Sequence, residues 1–343
     1  MSTAASTTAR DQWRASASRY ASPELRPALL DLATSVLPFL ALWVAMYLAL
    51  DVSYLLVLAL SIPAGGFLVR TFIVFHDCTH GSFLPSRFWN RWVGRFCGLM
   101  VFAPFRSWQH DHAVHHATAG DLDRRGQGDV PTLTVAEYRA MPLLQRTGYR
   151  LFRNPLIMFT LGPVFAMIIK PRTISRDARS RLRHSVYLTD VALIATLTLL
   201  GLWLGFGKFW LVEGPTALIA GIAGVWLFYV QHQFEDVYWE SSGDWSYADA
   251  ALRGSSYLRL PKVLQYFTGN IGLHHVHHLS AHVPNYKLQA AHDDNEIFHS
   301  VPVLSMWDGL KATRLKLYDE DSRRMLTWRE AGLWGRTATA DLA

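Results

Sequence analysis

Fifteen histidines stand in this chain of 343 residues, and eleven of them fall in four places. His76 and His80 bracket the stretch His76-Asp77-Cys78-Thr79-His80. His110, His112, His115 and His116 crowd residues 110–116, and His274, His275, His277 and His278 crowd residues 274–278. His232 stands alone between Gln231 and Gln233. On a helix, residues three and four apart share a face, with Cβ atoms about 5–6 Å apart. His76 and His80 have the i, i+4 spacing. His112, His115 and His116 have i, i+3, i+4, and His274, His277 and His278 repeat it. Three helices are therefore predicted to present a histidine face each.

Imidazole is a ligand for zinc, copper, iron and nickel. Eight imidazoles are too many for one ion. They fit two ions with about four nitrogens each and open positions left over, and His232 is the candidate ninth. Water hydrolysis at zinc needs only about three protein ligands, so two irons with open positions suit oxygen activation better. His110 and His275 fall off the shared faces and are read as outer supports or surface residues. His184, His282, His292 and His299 are isolated and read as ordinary polar residues.

Imidazole ligands hold their orientation through the second ring nitrogen, which needs an acceptor. Asp77, Asp111, Asp121, Asp123, Glu235 and Asp236 are the candidate acceptors, Asp111 foremost because it lies inside the second cluster. For Asp121 and Asp123 a solvated loop is an equal reading. Trp89, Trp92, Trp108, Trp239 and Trp245 either line an apolar channel, with Trp108 as a substrate contact, or form an interfacial belt. Arg124 and Arg125 either bind a substrate phosphate or face solvent. The two cysteines, Cys78 and Cys97, cannot build a disulfide framework, and Cys78 is read as a packing residue.

The elements that must position these residues are membrane spans. Half the residues are hydrophobic and 17% are charged, against roughly 25% in an ordinary soluble domain. Mean hydropathy is +0.11. Four stretches, 32–50, 52–75, 185–206 and 209–230, have about the 20 residues needed to cross a hydrocarbon core. The first pair is joined at Asp51 and the second at Gly207-Lys208, so each pair is a hairpin. The net charge of +6 is assigned to an anionic cytoplasmic leaflet rather than to nucleic acid. Arg10, Arg14, Arg19 and Arg26, with Lys170, Arg172, Arg176, Arg179, Arg181 and Arg183, then put both termini and all histidine clusters on the cytoplasmic side. Residues 156–169, apolar but only about 14 long, are expected to be re-entrant or interfacial. Residues 88–105 look interfacial too, and residues 1–27 have no apolar core for a signal peptide.

The fold class expected is an all-α integral membrane protein: four transmembrane helices in two hairpins under a cytoplasmic helical cap that holds the histidines. Residues 1–27 form a polar tail, 28–310 the membrane domain and 311–343 a C-terminal tail.

The clusters and their flanks resemble the three histidine boxes of the membrane-bound fatty acid desaturases. His76-Asp77-Cys78-Thr79-His80-Gly81-Ser82, His112-Ala113-Val114-His115-His116 and His274-His275-Val276-His277-His278 are similar to the first, second and third boxes. Val283-Pro284-Asn285-Tyr286 looks like the flank of acyl-lipid enzymes of the Δ12/ω-6 type, and Asn270 occupies the place of an asparagine often found before the third box. The resemblance runs from about Phe67 to Gln289. It implies a non-haem di-iron site held by His76, His80, His112, His115, His116, His274, His277 and His278, with His232 as the extra histidine. Asn270, Asp77, Asp111 and Asp236 would support them.

The reaction implied is insertion of a cis double bond into an acyl chain with dioxygen as co-substrate, probing a C–H bond that offers no acid–base handle. The acyl group would be carried by lipid, CoA or a carrier protein, in a bacterial inner membrane. The chain has no G-x-G-x-x-G nucleotide fingerprint and no cysteine set for an iron–sulfur cluster, so an external donor is implied, a ferredoxin or a cytochrome b5 with its reductase. Two rival readings remain at this level. One is a di-iron hydroxylase or ketolase of alkanes or carotenoids on the same scaffold. The other is a histidine-rich metal transporter or storage protein, which is expected to carry its ligands at mid-membrane.

Overall fold

The computed structural model describes residues 17–126 and 128–333. Arg10 and Arg14 of the N-terminal tail, and residues 334–343 of the C-terminal one, lie outside them. The fold is mostly helical. Leu25–Ala49 (α1) and Tyr54–His80 (α2) are long because each is almost uncharged and rich in Leu, Val and Ala. At 1.5 Å per residue, the 27-residue α2 runs about 40 Å, so it outreaches a hydrocarbon core of about 30 Å. Its last turns carry the polar residues His76, Asp77, Thr79 and His80. Gly81 ends the helix at φ +71°, its N–H turned back to the carbonyls of Asp77 and Cys78. A residue with a Cβ pays strain in that conformation.

Arg87–Met100 (α3) and Phe105–Thr118 (α4) follow, α4 carrying the second box. Ser180–Leu204 (α6) and Phe206–His232 (α7) make the second hairpin, joined at Gly205 with φ +86°. The turns of the two hairpins lie together: Lys208 Nζ is 3.1 Å from Asp51 Oδ1, and the Tyr47 hydroxyl donates to the Leu204 carbonyl at 2.9 Å. His80 and His232 are the last residues of α2 and α7, at the opposite end. Between the hairpins, Trp43 Nε1 donates to Glu213 Oε2 at 2.9 Å.

A fifth apolar helix, Pro155–Val164 (α5), continues through a π turn at Phe165–Ile169 and a 3-10 turn at Lys170–Arg172. Its 18 residues are long and apolar enough to cross a membrane, which makes five such helices among the described residues where hydropathy alone suggested four. Arg172 ties its far end down, donating to the carbonyls of Phe102 and Met167, both at 2.8 Å, and to Asp190 at 3.1 Å.

The described chain is not wholly α. Leu133–Thr134 (β1) pairs in parallel with Leu315–Asp319 (β4), which pairs antiparallel with Arg324–Thr327 (β5). Tyr257–Arg259 (β2) and Val303–Ser305 (β3) make a second, parallel pair. These strands hold two to five residues, too few for an alternating pattern to register in a hydropathy window. Residues 311–333 are packed against the rest of the chain: Leu317, Tyr318, Met325 and Leu326 are buried, and Met325 N–H donates to the Glu235 carbonyl at 2.7 Å. Arg153, fully buried, joins this sheet to α7 by donating to Leu315 O and to the Tyr229 hydroxyl and Gln233 side chains.

Candidate metal centre

Four elements bring nine histidines together. α2 supplies His76 and His80, α4 supplies His112, His115 and His116, and α7 supplies His232. The short helix His274–Leu279 (α8) supplies His274, His277 and His278. They fall into two groups whose candidate donor atoms lie within 4.8 Å of one another: His76, His80, His112, His116 and His277 in one, His115, His232, His274 and His278 in the other. The groups abut, with the rings of His116 and His278 stacked 4.2 Å apart.

The boxes do not map one to one onto the groups. In α4, His112 and His116 turn to the first group while His115 turns to the second. In α8, His277 joins the first, and His274 and His278 join the second. The i, i+4 pairs stay together and the odd residue of each triplet crosses over, because a step of three or four residues overshoots or undershoots one turn by different angles.

The ring nitrogens converge closely. His112 Nε2 lies 3.0 Å from His76 Nε2 and 3.1 Å from His116 Nε2, and His116 Nε2 lies 2.9 Å from His277 Nε2. In the second group, His232 Nε2 is 3.1 Å from His115 Nε2 and 2.9 Å from His274 Nε2. A ring nitrogen has one in-plane lobe, either an N–H or a lone pair, so it cannot bond two neighbours at once. Convergent lone pairs are satisfied together by a shared cation. Four further ring nitrogens, His80 Nε2, His116 Nδ1, His274 Nδ1 and His278 Nε2, are buried with no protein partner. Burial pushes His112, His116, His274, His277 and His278 well below the ordinary imidazole value, and neighbouring histidines add to the effect. All five are neutral near pH 7, the form that can bind metal.

Acceptors orient the outer ring nitrogens of three of the nine. Asp77 Oδ1 is 2.9 Å from His76 Nδ1. Asp77 Oδ2 accepts the Asn285 N–H at 2.6 Å, and Asn285 Nδ2 donates to Asp31 Oδ2 at 2.8 Å. Asp31 is in turn paired with Arg70. A buried chain of polar contacts thus runs from α1 through the residues after the third box to His76. His232 Nδ1 lies 3.1 Å from the Gly254 carbonyl.

The acceptor for His115 Nδ1 is Asp129, which sequence reasoning missed. Its signal was the glycine beside it. Gly128 sits at φ +77°, and a Cβ there would stand 2.8 Å from the Asp111 carbonyl and 2.9 Å from His115 Cβ. Only a glycine lets this loop lie flat on α4.

The remaining candidates are placed as follows. Asn270, at φ +60°, donates to the Asn285 carbonyl at 3.2 Å, so it meets the Asp77 chain and not a histidine ring. Asp111 is half-buried and Asp236 is exposed. Asp121 holds Arg124, with Nε 2.5 Å from Oδ2, and the Ser242 hydroxyl. Arg125 is spent on Glu137, at 3.0 Å for one of two contacts, and on the carbonyls of Leu122 and Thr132. It braces the loop after the second box. Trp108 lies against His112, ring centroids 4.3 Å apart, and against Phe75 at 5.1 Å, so it forms a wall of the first group. His275 is buried but turned away, its Nε2 3.0 Å from His292 Nδ1.

A family model, "Fatty acid desaturase", matches residues 51–302 and so spans all four histidine-bearing elements. The chain belongs to the fatty acid desaturase family. It is 47% identical over 310 residues to a "Fatty acid desaturase" of Bacillus subtilis (strain 168), covering 90% of this chain and 88% of that one. It is 29% identical over 244 residues to an "sn-1 oleoyl-lipid 12-desaturase" of Synechocystis sp., covering 66% and 65%. An "sn-1 acyl-lipid omega-3 desaturase (ferredoxin)" of Nostoc sp. is 27% identical over 229 residues, covering 64% and 62%. The protein is therefore a desaturase enzyme, an oxidoreductase of lipid metabolism, with apolar helices suited to a membrane.

Proposed function

We propose that this desaturase sets a cis double bond into the acyl chain of a membrane lipid, using dioxygen and two irons, one in each histidine group. The observation that carries the reading is the convergence of nine imidazoles and no carboxylate into two adjoining groups. Five and four imidazoles exceed the three protein ligands of a catalytic zinc, which favours ions with more coordination positions, such as iron. When bound, the metals would supply the oxygen chemistry that breaks an unactivated C–H bond, which side chains alone cannot do.

The protein's own residues do the rest. His76, His80, His112, His116 and His277 would hold one ion, and His115, His232, His274 and His278 the other. Asp77, Asp129 and the Gly254 carbonyl fix the rings of His76, His115 and His232 by accepting from Nδ1, which leaves each Nε2 lone pair for metal. Asn270 and Asn285 steady Asp77 from the third-box side. Trp108 and Phe75 keep water from the His76–His112 edge.

The lipid substrate and a ferredoxin-type donor are favoured by the names of the Synechocystis and Nostoc relatives. The clusters of arginine around residues 170–183 favour a cytoplasmic site in a bacterial inner membrane. Residues 28–310 then form the membrane domain between polar N- and C-terminal segments, and 156–169 a re-entrant or interfacial piece rather than a fifth crossing. The test is expression in a host that makes no polyunsaturated lipid, followed by lipid mass spectrometry. The expected result is a new double bond that needs air. Hydroxylated chains without a new double bond would refute the reading.

A further inference from the structure

The helix α3 stands directly beside the first histidine box, yet the metal centre uses none of it. Its sequence divides cleanly by face. Asn90, Gly94, Cys97 and Gly98 are buried. Arg87, Arg91 and Arg95 form one exposed stripe at i, i+4, i+8, and Phe88, Trp92 and Phe96 form an exposed stripe flush against it. Phe88, Trp89, Trp92 and Phe96 are 50 to 57% exposed, unusual for four large aromatic residues within nine positions.

The buried face fixes how the helix lies. A Cβ on Gly94 would stand 2.9 Å from Cys78 Cβ, and one on Gly98 would stand 3.1 Å from the Phe75 ring. The two glycines let α3 press its backbone against the end of α2 that carries His76 and His80. The outward face therefore lies at the level of that end, where an apolar span meets headgroups. α3 contains no acid, and among the described residues no carboxylate pairs with Arg87, Arg91 or Arg95. Arg95 rests over the Trp92 ring at 4.9 Å.

We propose that α3 is an in-plane docking face for anionic phospholipid headgroups, its aromatic stripe seated at the acyl boundary and its arginine stripe on lipid phosphates. Aromatic residues beside a basic stripe are the chemistry of a helix lying in a membrane interface. An acidic protein could meet the arginines but would leave Phe88, Trp92 and Phe96 without hydrocarbon. The proposal rests on membrane insertion of α2 and not on the identity of the metals. Its consequence is that anionic lipid gathers against the backbone that positions the first histidine box.

The experiment uses the full chain in vesicles of phosphatidylcholine containing phosphatidylglycerol, with brominated acyl chains on one lipid or the other. Bromine quenches nearby tryptophan, and the Trp89→Phe/Trp92→Phe variant isolates the signal of those two rings. Each basic residue near an anionic surface should raise local enrichment roughly fivefold at low salt. The expected result is stronger quenching by brominated phosphatidylglycerol than by brominated phosphatidylcholine at equal mole fraction. The Arg87→Gln/Arg91→Gln/Arg95→Gln variant should equalise the two, while the corresponding lysine variant keeps the preference and high salt removes it. Quenching of the other tryptophans by either lipid reports insertion, so a failed insertion is separable from a failed preference. Equal quenching in the wild-type chain overturns the proposal. So does absence of quenching at Trp89 and Trp92, or their protection by an acidic ferredoxin.

Discussion

The two histidine groups are close neighbours with different foundations. The five-histidine group is braced from within the helical bundle. Asp77 sits beside its own ligand on α2, and the polar chain behind it passes through Asn285 to Asp31 and Arg70 on the first two long helices. The four-histidine group is braced from loops. Asp129 reaches His115 from a loop that Gly128 allows onto α4, and the Gly254 carbonyl reaches His232 from the end of Tyr247–Arg253. Loops open at lower free energy than packed helices. The comparison teaches that one ion site should share the stability of the bundle, while the other should fail locally and first.

The largest effect tests the ligands. His277→Ala should abolish desaturation and empty the five-histidine group, and His232→Ala should do the same to the four-histidine group, each read by product analysis and metal content. Next come the braces. Asp77→Asn and Asp129→Asn should each cost about 10- to 100-fold in activity or metal affinity. They should differ in stability: Asp77→Asn should lower the melting temperature of the metal-free protein, and Asp129→Asn should leave it nearly unchanged. Equal melting temperatures would break the distinction between bundle and loop bracing.

Smaller effects sharpen the same contrast. Asn285→Ala leaves Asp31 Oδ2 without its donor, a loss of about 1–3 kcal/mol for a buried acceptor, visible as a lower melting temperature with the second ion still bound. Gly128→Ala puts a Cβ at φ +77° against the Asp111 carbonyl, at about 1–2 kcal/mol of local strain. Its expected result is a few-fold weaker metal retention at the four-histidine group and an unchanged bundle, measured by chelator challenge. Acidity tests the metal-free protein as a whole. The depressed values of His112, His116, His274, His277 and His278 mean that the unfolded chain binds protons near the ordinary value of 6.5 that the folded chain refuses. Metal-free protein should therefore be most stable above that pH and lose stability as pH falls below it. A melting temperature higher at pH 5.5 than at pH 7.5 would contradict this.

Much of this was legible in the residues alone. The eight histidines that share helical faces lie in the two groups, because spacing on a helix obeys a fixed period, and His232 joins them while His275 of the third box turns away. Asp77 was legible because it adjoins its histidine. Asp129 was not, since a contact made by a loop leaves no period to read, and Asp111 inside the second box drew attention instead. Arg124 and Arg125 were visible as charges, but a sequence does not say that Asp121 and Glu137 already hold them. The long helices followed from apolar runs. The short strands and the packed segment after residue 310 depend on partners far along the chain, such as β1 with β4, and no local pattern announces them.

The claim that two metals sit in two separately braced groups is tested most directly by counting them. Elemental analysis of the full chain, purified gently from cells grown with iron, should give two irons per chain, about one after His277→Ala, and little zinc. A single iron in the wild-type protein, two retained after that substitution, or zinc in place of iron would contradict the account.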